Sequence, residues 1–404
     1  MILIGDYAPG KKIVRINHEI RNLIGNLEGP ILPDHHKFSM IPKAGPNLFS
    51  NKLPEENGQF VFTLANNHIM DYGLQGLEST LECLNLKGYK ACGAGNDIQE
   101  ARRPIVVKDK ESNVGIISCC EAQFGVARQN SGGVAEFGPW IYQSIRDLRL
   151  RVDAVIVSCH AANEDSPWPS PYIRELYKSF IDAGASVVHG HHSHVPQGYE
   201  SYCDGIIFYG MGNYAVDPDK WRSYYNGLWS FSADVDFSTI PVSWQPLTFE
   251  IHEQSGTGTI VIEESNYEEQ EHHRRYLNEC NYPFDNHDLF NSLWHEIALR
   301  IYYHHGADYM RFYTPNKKGL NLHIRNGLSL LKRAMINGIA SPSNLSQYDY
   351  LLWYHMIACE SHRQMLSTAL GILSGEIKDL RTKETQRLAD EMMPWSINVK
   401  INIT

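Results

Sequence analysis

Short apolar runs separated by helical spacings organise the first half of the chain. Runs at residues 2–4, 20–24, 60–64, 104–107, 114–120, 154–158, 185–188 and 205–209 read as strands. From residue 73 to 86, Leu74, Leu77, Leu81 and Leu84 recur at helical spacing, and Gly88 closes the helix. Residues 170–183 carry Ile173, Leu176, Tyr177, Phe180 and Ile181 on one helical face and stop at Gly184. Strands alternating with helices predict an α/β fold whose site lies along one sheet edge. Residues 229–237 and 247–262 alternate apolar and polar positions instead, which predicts antiparallel strands. From about residue 266 the pattern turns helical, at 268–277, 289–303, 320–336, 348–373 and 377–392. The expected organisation is one α/β domain over residues 1–265. An all-α region over 266–404, of unknown role, packs on it or on a second copy of the chain.

Composition narrows the class. The 404 residues carry a net charge of −10, which argues against nucleic acid as a partner and against docking on an anionic membrane. The 8 cysteines are scattered with no CxxC pair, as expected of free core thiols in a reducing compartment. No apolar stretch of about 18 residues is present, and the chain opens on a strand rather than on a basic segment followed by an apolar one. The expected location is cytoplasmic, with no membrane span.

The chemistry gathers at the ends of the apolar runs. The densest stretch runs from Val187 to Gly198 and holds His189, His191, His192 and His194. Alternation after a Gly-permitted turn would put His192 and His194 on one side, as two ligands of one metal. Other strand ends supply Asp6, Asn26, Glu28, Asn67, His68, His160 and Glu164. Carboxylate, amide and imidazole without thiolate suits one or two divalent ions such as Mn, Zn or Fe rather than a structural cysteine site. Such ions activate a water without any Ser or Cys nucleophile.

The order of these residues carries a resemblance. GD at 5–6, NLEGP at 26–30, ANNHxxDYG at 65–73, GAG at 93–95, HxxxE at 160–164, GHHSHVPQG at 190–198 and YGMGNY at 209–214 follow one another. In that order they resemble the CapA/PgsA type of capsule (poly-γ-glutamate) synthesis protein, a branch of the calcineurin-like metallophosphoesterase superfamily. The resemblance covers residues 1 to about 240 and implies a four-layer α/β/β/α domain. It implies Asp6, Glu28, Asn67, His160, His192 and His194 as metal ligands. His68 would be the general acid or oxyanion contact, with Asp71 orienting it. Asn26, Glu164, Gln197 and Asn213 would support ligands or touch substrate, and His189 and His191 read as supports rather than direct ligands. Two departures stand out: Ala8 replaces a His usual in the superfamily, and Ala161-Ala162 replaces a usual Trp-Gly.

Residues outside the motifs have plainer readings. His35-His36, His272-His273 and His304-His305 read as surface residues, and His295-Glu296 is not part of a HExxH helix. Trp168 either walls a substrate pocket or anchors its loop. Arg102, Arg103 and Arg128 either form a basic rim or are solvated surface. The leading functional expectation is a metal-dependent hydrolase using a metal-activated water on a phosphoester or on an amide bond of an anionic polymer, in capsule or poly-γ-glutamate metabolism. The alternative is a non-catalytic assembly or polymer-binding subunit that keeps the fold. A further expectation is a homo-oligomer formed through the helical region.

Overall fold

The computed structural model describes residues 1–19, 22–55, 58–219, 228–306 and 346–396. The strands are β1 (Ile2–Ala8), β2 (Ile13–Asn17), β3 (Leu23–Leu27), β4 (Phe60–Thr63), β5 (Lys90–Cys92), β6 (Ala94–Gly95), β7 (Ile105–Asp109), β8 (Ser112–Cys120) and β9 (Gly133–Val134). They continue as β10 (Ala154–His160), β11 (Val187–His191), β12 (Tyr199–Tyr202), β13 (Gly205–Phe208), β14 (Asn213–Val216), β15 (Leu228–Asp236), β16 (Ser243–Gln254) and β17 (Thr259–Glu264). The helices are α1 (Gly73–Lys87), α2 (Ile98–Ala101), α3 (Trp140–Arg149), α4 (Pro171–Asp182), α5 (Tyr267–Asn281) and α6 (His287–Ile301). Three more follow among the described residues: α7 (Gln347–Ala358), α8 (Glu360–Ser374) and α9 (Lys383–Met392).

Most of the strands form two mixed sheets, and β6 and β9 pair in a separate two-stranded one. One runs β2-β17-β16-β15-β1-β3-β4-β5, with β14 also paired to β1. The other runs β12-β13-β11-β10-β8-β7. Leu3, Ile24 and Val61 of the first sheet meet Val114, Ile156, Val187 and Phe208 of the second in one buried cluster, so the sheets pack face to face. Leu77 and Leu84 of α1 cover the outer face of the first sheet. Ile145 and Leu148 of α3 and Tyr177 and Phe180 of α4 cover the outer face of the second. The layer order is therefore α/β/β/α, the one the resemblance implies. Central parallel strands such as β1, β3, β10 and β11 are buried along their whole length, which is why they read as unbroken apolar runs.

Several boundaries differ from the sequence reading. The strand expected at 20–24 is Leu23–Leu27, which places Asn26 inside it. The alternating stretch 247–262 is a hairpin of β16 and β17 turning at residues 255–258. Several elements have no counterpart among the expected ones, among them the short strands β5, β6, β9, β12 and β14, the short helix α2, and the longer β2 and α3. In β2 only Val14 and Ile16 face inward, and α3 buries only Ile141, Ile145 and Leu148. The helix expected at 348–373 breaks at Cys359, whose extended backbone ends α7 and starts α8. The one expected at 377–392 begins only at Lys383, capped by Thr382. The helix expected at 320–336 lies outside the described residues.

From Tyr267 onward the described elements are helical, and they pack around Leu293, Ile297, Met365, Ala369 and Leu388. Trp168 belongs to this cluster as a loop anchor: it is fully buried and donates from Nε1 to Cys280 O at 3.0 Å. His273 is not a surface residue. It is buried, stacks on Trp229 at 3.9 Å and lies 2.6 Å from Glu250 Oε1. All 8 cysteines are free thiols. Among the described residues no helix is long and apolar enough to cross a membrane.

Candidate metal centre

Most of the motif residues lie at or just beyond the C-terminal end of a parallel strand, the place where α/β sheets present their chemistry, while Asn213 opens β14. Asp6 is on β1, Asn26 on β3 with Glu28 just after it, Asn67 and His68 come after β4, and His160 ends β10. His191 ends β11, and His192 and His194 lie beyond it. Strand alternation is therefore not what pairs the two. Both adopt left-handed backbone, with φ of 84° at His192 and 56° at His194. Non-glycine residues in that region concentrate at functional sites. The turn brings the rings to 6.0 Å between centroids.

Gly190 does not make this turn, since it lies within β11. A Cβ there would overlap the carbonyl oxygen of Tyr209, and one on Gly5 would overlap that of Gly212. The segment 209–213 thus packs its backbone against both sheets, against Gly5 of β1 and Gly190 of β11. Asp6 N donates to Gly212 O at 3.0 Å and Met211 N to Gly190 O at 3.3 Å. This clamp fixes Asp6 on one sheet relative to the histidines on the other.

Glu28, His192 and His194 bring ligand atoms within 4.8 Å of one another. Glu28 is fully buried, and neither carboxylate oxygen has a hydrogen-bond partner. His192 Nδ1 and Asp6 Oδ2 are likewise buried and unpartnered. Native interiors rarely leave such groups unsatisfied. A divalent cation held by Glu28, His192 and His194 would satisfy the carboxylate and an imidazole together, so this donor set fits the metal that the resemblance implies.

The remaining residues enclose this core. His194 Nε2 lies 3.7 Å from Glu28 Oε1, and its Nδ1 lies 3.6 Å from Asp6 Oδ2 and 3.1 Å from Asn213 Oδ1. His191 Nδ1 is 3.0 Å from Asp6 Oδ1, which also accepts from Asn26 Nδ2 at 3.0 Å. His160 Nε2 is 3.0 Å from Asn67 Oδ1 and 3.7 Å from Glu28 Oε1. His189 stands apart, against Ile4 O at 3.0 Å. Gln197 donates to Ser166 O at 2.8 Å and leaves its Oε1 unpartnered. Glu164, although exposed, faces the field of His192 and His194.

Burial pushes the Glu28 carboxyl up to about 8 and the His192 imidazole down to about 3. Burial opposes charge on His194 too, but the carboxylates of Glu28 and Asp6 outweigh it and raise that imidazole to about 9. The Glu28–His194 pair thus holds at least one proton at neutral pH, which a bound cation would displace.

Three parts of the site went unread in the sequence. Asn66 donates to Asn26 Oδ1 at 2.9 Å and accepts from the backbone N–H groups of His68 and Ile69, so it ties two motifs together. Gln123 Nε2 lies 3.1 Å from His192 Nε2. Lys43 is buried, donates to Asp71 Oδ1 at 2.6 Å and lies 2.8 Å from His68 Nδ1, which is itself 2.8 Å from Asp71 Oδ2. Burial, followed by the Lys43 charge, lowers the His68 pKa, so His68 is neutral near pH 7. Only the doublet Asn66-Asn67 gave any sequence signal; the others lie on loops far from the motifs.

The buried Lys43–Asp71 pair makes a prediction. Lys43→Met is expected to cost about 3 kcal/mol by stranding the Asp71 carboxylate. Lys43→Met with Asp71→Asn should recover most of that loss in denaturant melts. Equal destabilisation in both proteins would refute the pairing. Arg102 and Arg128 instead converge on Glu136, at 3.9 and 3.1 Å, which offsets their charge as a basic rim.

The family model for the bacterial capsule synthesis protein PGA_cap matches residues 14–218. The chain belongs to that family. It is 30% identical over 212 residues to the capsule biosynthesis protein CapA of Bacillus anthracis, covering 49% of this chain and 51% of that one. It is also 30% identical over 206 residues to the PGA biosynthesis protein CapA of Bacillus subtilis, covering 49% and 54%. The chain thus matches about half the length of these relatives. Among solved structures, a phosphatase of Mycoplasma pneumoniae aligns over 70% of this chain and 96% of its own, with 13% identity and a TM-score of 0.34.

Proposed function

We propose that this member of the capsule synthesis family is a metal-dependent hydrolase acting on an anionic substrate, either a phosphoester or an amide bond of a poly-γ-glutamate-like polymer. The observation that carries the reading is the fully buried, unpartnered Glu28 carboxylate facing His192 and His194. Two buried imidazoles and a buried carboxylate without a cation impose a desolvation cost that a purely structural role does not explain. Glu28, His192 and His194 would hold the metal, with Asp6, Asn67 and His160 completing its surroundings. When bound, a divalent ion there supplies Lewis acidity and an activated water.

The chain's own residues supply the rest. Asn26 and His191 orient Asp6, and Asn213 orients His194. Neutral His68 is held at Nδ1 by Asp71 and Lys43, which leaves Nε2 to meet a substrate oxygen as proton donor or acceptor. The second reading, a non-catalytic polymer-binding subunit, is favoured by Ala8, which gives Asp6 no histidine two residues on.

Metal analysis of the purified chain, with turnover of a chromogenic phosphodiester and of poly-γ-glutamate in added manganese, separates the readings. Bound metal and hydrolysis lost in His192→Ala support the hydrolase. Absence of metal, or activity unchanged in His192→Ala and Asn67→Ala, overturns it. Polymer binding without turnover, surviving chelation, establishes the second reading.

A further inference from the structure

The helical region reaches the metal centre at the junction of α7 and α8. Gln123 Nε2, 3.1 Å from His192 Nε2, also donates to Cys359 Sγ at 3.2 Å. Cys359 Sγ donates to Glu121 Oε2 at 2.6 Å, Ser361 N donates to the same oxygen at 3.3 Å, and Ser361 Oγ donates to Glu121 Oε1. In return Ala122 N donates to Glu360 Oε2 at 3.3 Å. Loop residues 121–123 thus cap the start of α8 and touch a ligand histidine from the same strip of backbone.

This latch places two histidines. His355 lies one turn before Cys359 on α7, and His362 lies on the first turn of α8. Their rings stand 4.4 Å apart, and His355 stacks on Phe124 at 5.3 Å. Lys43, which holds His68, sits over the other neighbour of that stack, 5.6 Å from the Phe124 ring. The Nδ1 atoms of both histidines are buried and have no hydrogen-bond partner. The electrostatic field of both reaches the Glu164 carboxylate, and that of His362 reaches His192. Burial lowers the pKa of each, which favours the neutral imidazole, a ring with one N–H donor to offer. Neutral paired imidazoles with open donors beside a metal site suit an anionic oxygen group, phosphate or carboxylate.

We propose that His355 and His362 are substrate-binding residues, donating hydrogen bonds to an anionic oxygen group next to the bond held at the metal centre. The inference rests on the hydrolase reading and deepens it. It assigns the region beyond the family match at 14–218 a part in recognition. No covalent step is required of either histidine.

The test uses the manganese-loaded full chain and titrates two probes by calorimetry, inorganic phosphate and a short γ-linked glutamate oligomer. His355→Leu and His362→Leu, singly and together, remove the N–H donors while keeping side-chain bulk. The double variant is expected to bind the preferred probe at least tenfold more weakly, with metal content and the metal-induced rise in melting temperature unchanged. The probe that discriminates tells a phosphate from a carboxylate subsite. Wild-type affinity for both probes in the double variant, or no binding of either by the wild type, overturns the proposal. Loss of one metal per chain in the double variant also overturns it, since the pair would then be a metal site. Failure of the hydrolase reading shows separately, as a wild type without metal or turnover.

Discussion

Glu28→Gln is expected to abolish metal binding and yet stabilise the metal-free chain at alkaline pH. The carboxylate is the only fully buried acidic ligand in the group with His192 and His194, so metal affinity should fall by at least about 100-fold. The sign of the stability change comes from linkage. In the fold the Glu28 carboxyl titrates at about 8 instead of its ordinary 4.5, because burial disfavours its charge. The folded state therefore binds more protons than the unfolded one across that interval, and stability falls as pH rises through it. Below about 6.5 the buried neutral His192, at about 3, works in the opposite direction. The readable window is therefore pH 6.5 to 8. Across it, metal-free wild type should lose on the order of 1–2 kcal/mol. His194 slopes the same way but owes its upward shift first to Glu28, so the variant should be nearly flat. Denaturant melts in chelator at several pH values measure this. An unchanged slope in the variant, or metal retained by it, would count against the geometry described.

Gly190→Ala is expected to cost at least about 3 kcal/mol, which lowers the melting temperature by roughly 6 °C or more. The added methyl meets the carbonyl oxygens of Phe208 and Tyr209 and the carbonyl carbon of Tyr209, all backbone, so no side chain can rotate away. Relief requires moving the 209–213 segment off β11. That movement also breaks the Met211–Gly190 hydrogen bond and loosens the clamp on Asp6. Metal affinity should fall together with stability. Gly256→Ala is the control: its φ is +75°, but nothing lies within 4 Å, so only the left-handed strain of about 1 kcal/mol applies. Similar melting temperatures in the two variants would sink the account of Gly190 as a point of close approach.

The motifs were legible because parallel strands buried on both faces are apolar, and their C-terminal ends are polar. Asp6, Glu28, His160 and His194 stood out against such runs. The physical basis for pairing His192 with His194 was not legible: two left-handed residues bring together what alternation was expected to bring together. His273 looked like surface because its helix α5 is otherwise polar, and only Trp229 and Glu250 on distant strands account for its burial. Lys43 gave no signal at all. A lysine in a loop reads as solvated until the fold places a carboxylate and an imidazole around its ammonium.

By itself the sequence determined which residues are chemically equipped, because strand-end motifs and apolar runs are local in the chain. It also determined the α/β order of elements and the helical character of the described residues beyond 266. Which of those residues meet was decided only by the tertiary structure. The Glu28 carboxylate and the His194 ring come from different sheets, and the packing of segment 209–213 against Gly5 and Gly190 sets their separation. Likewise nothing local marked His355 and His362, 163 and 170 positions beyond His192. Contacts across such separations are set by packing of whole layers, which no short stretch of sequence encodes.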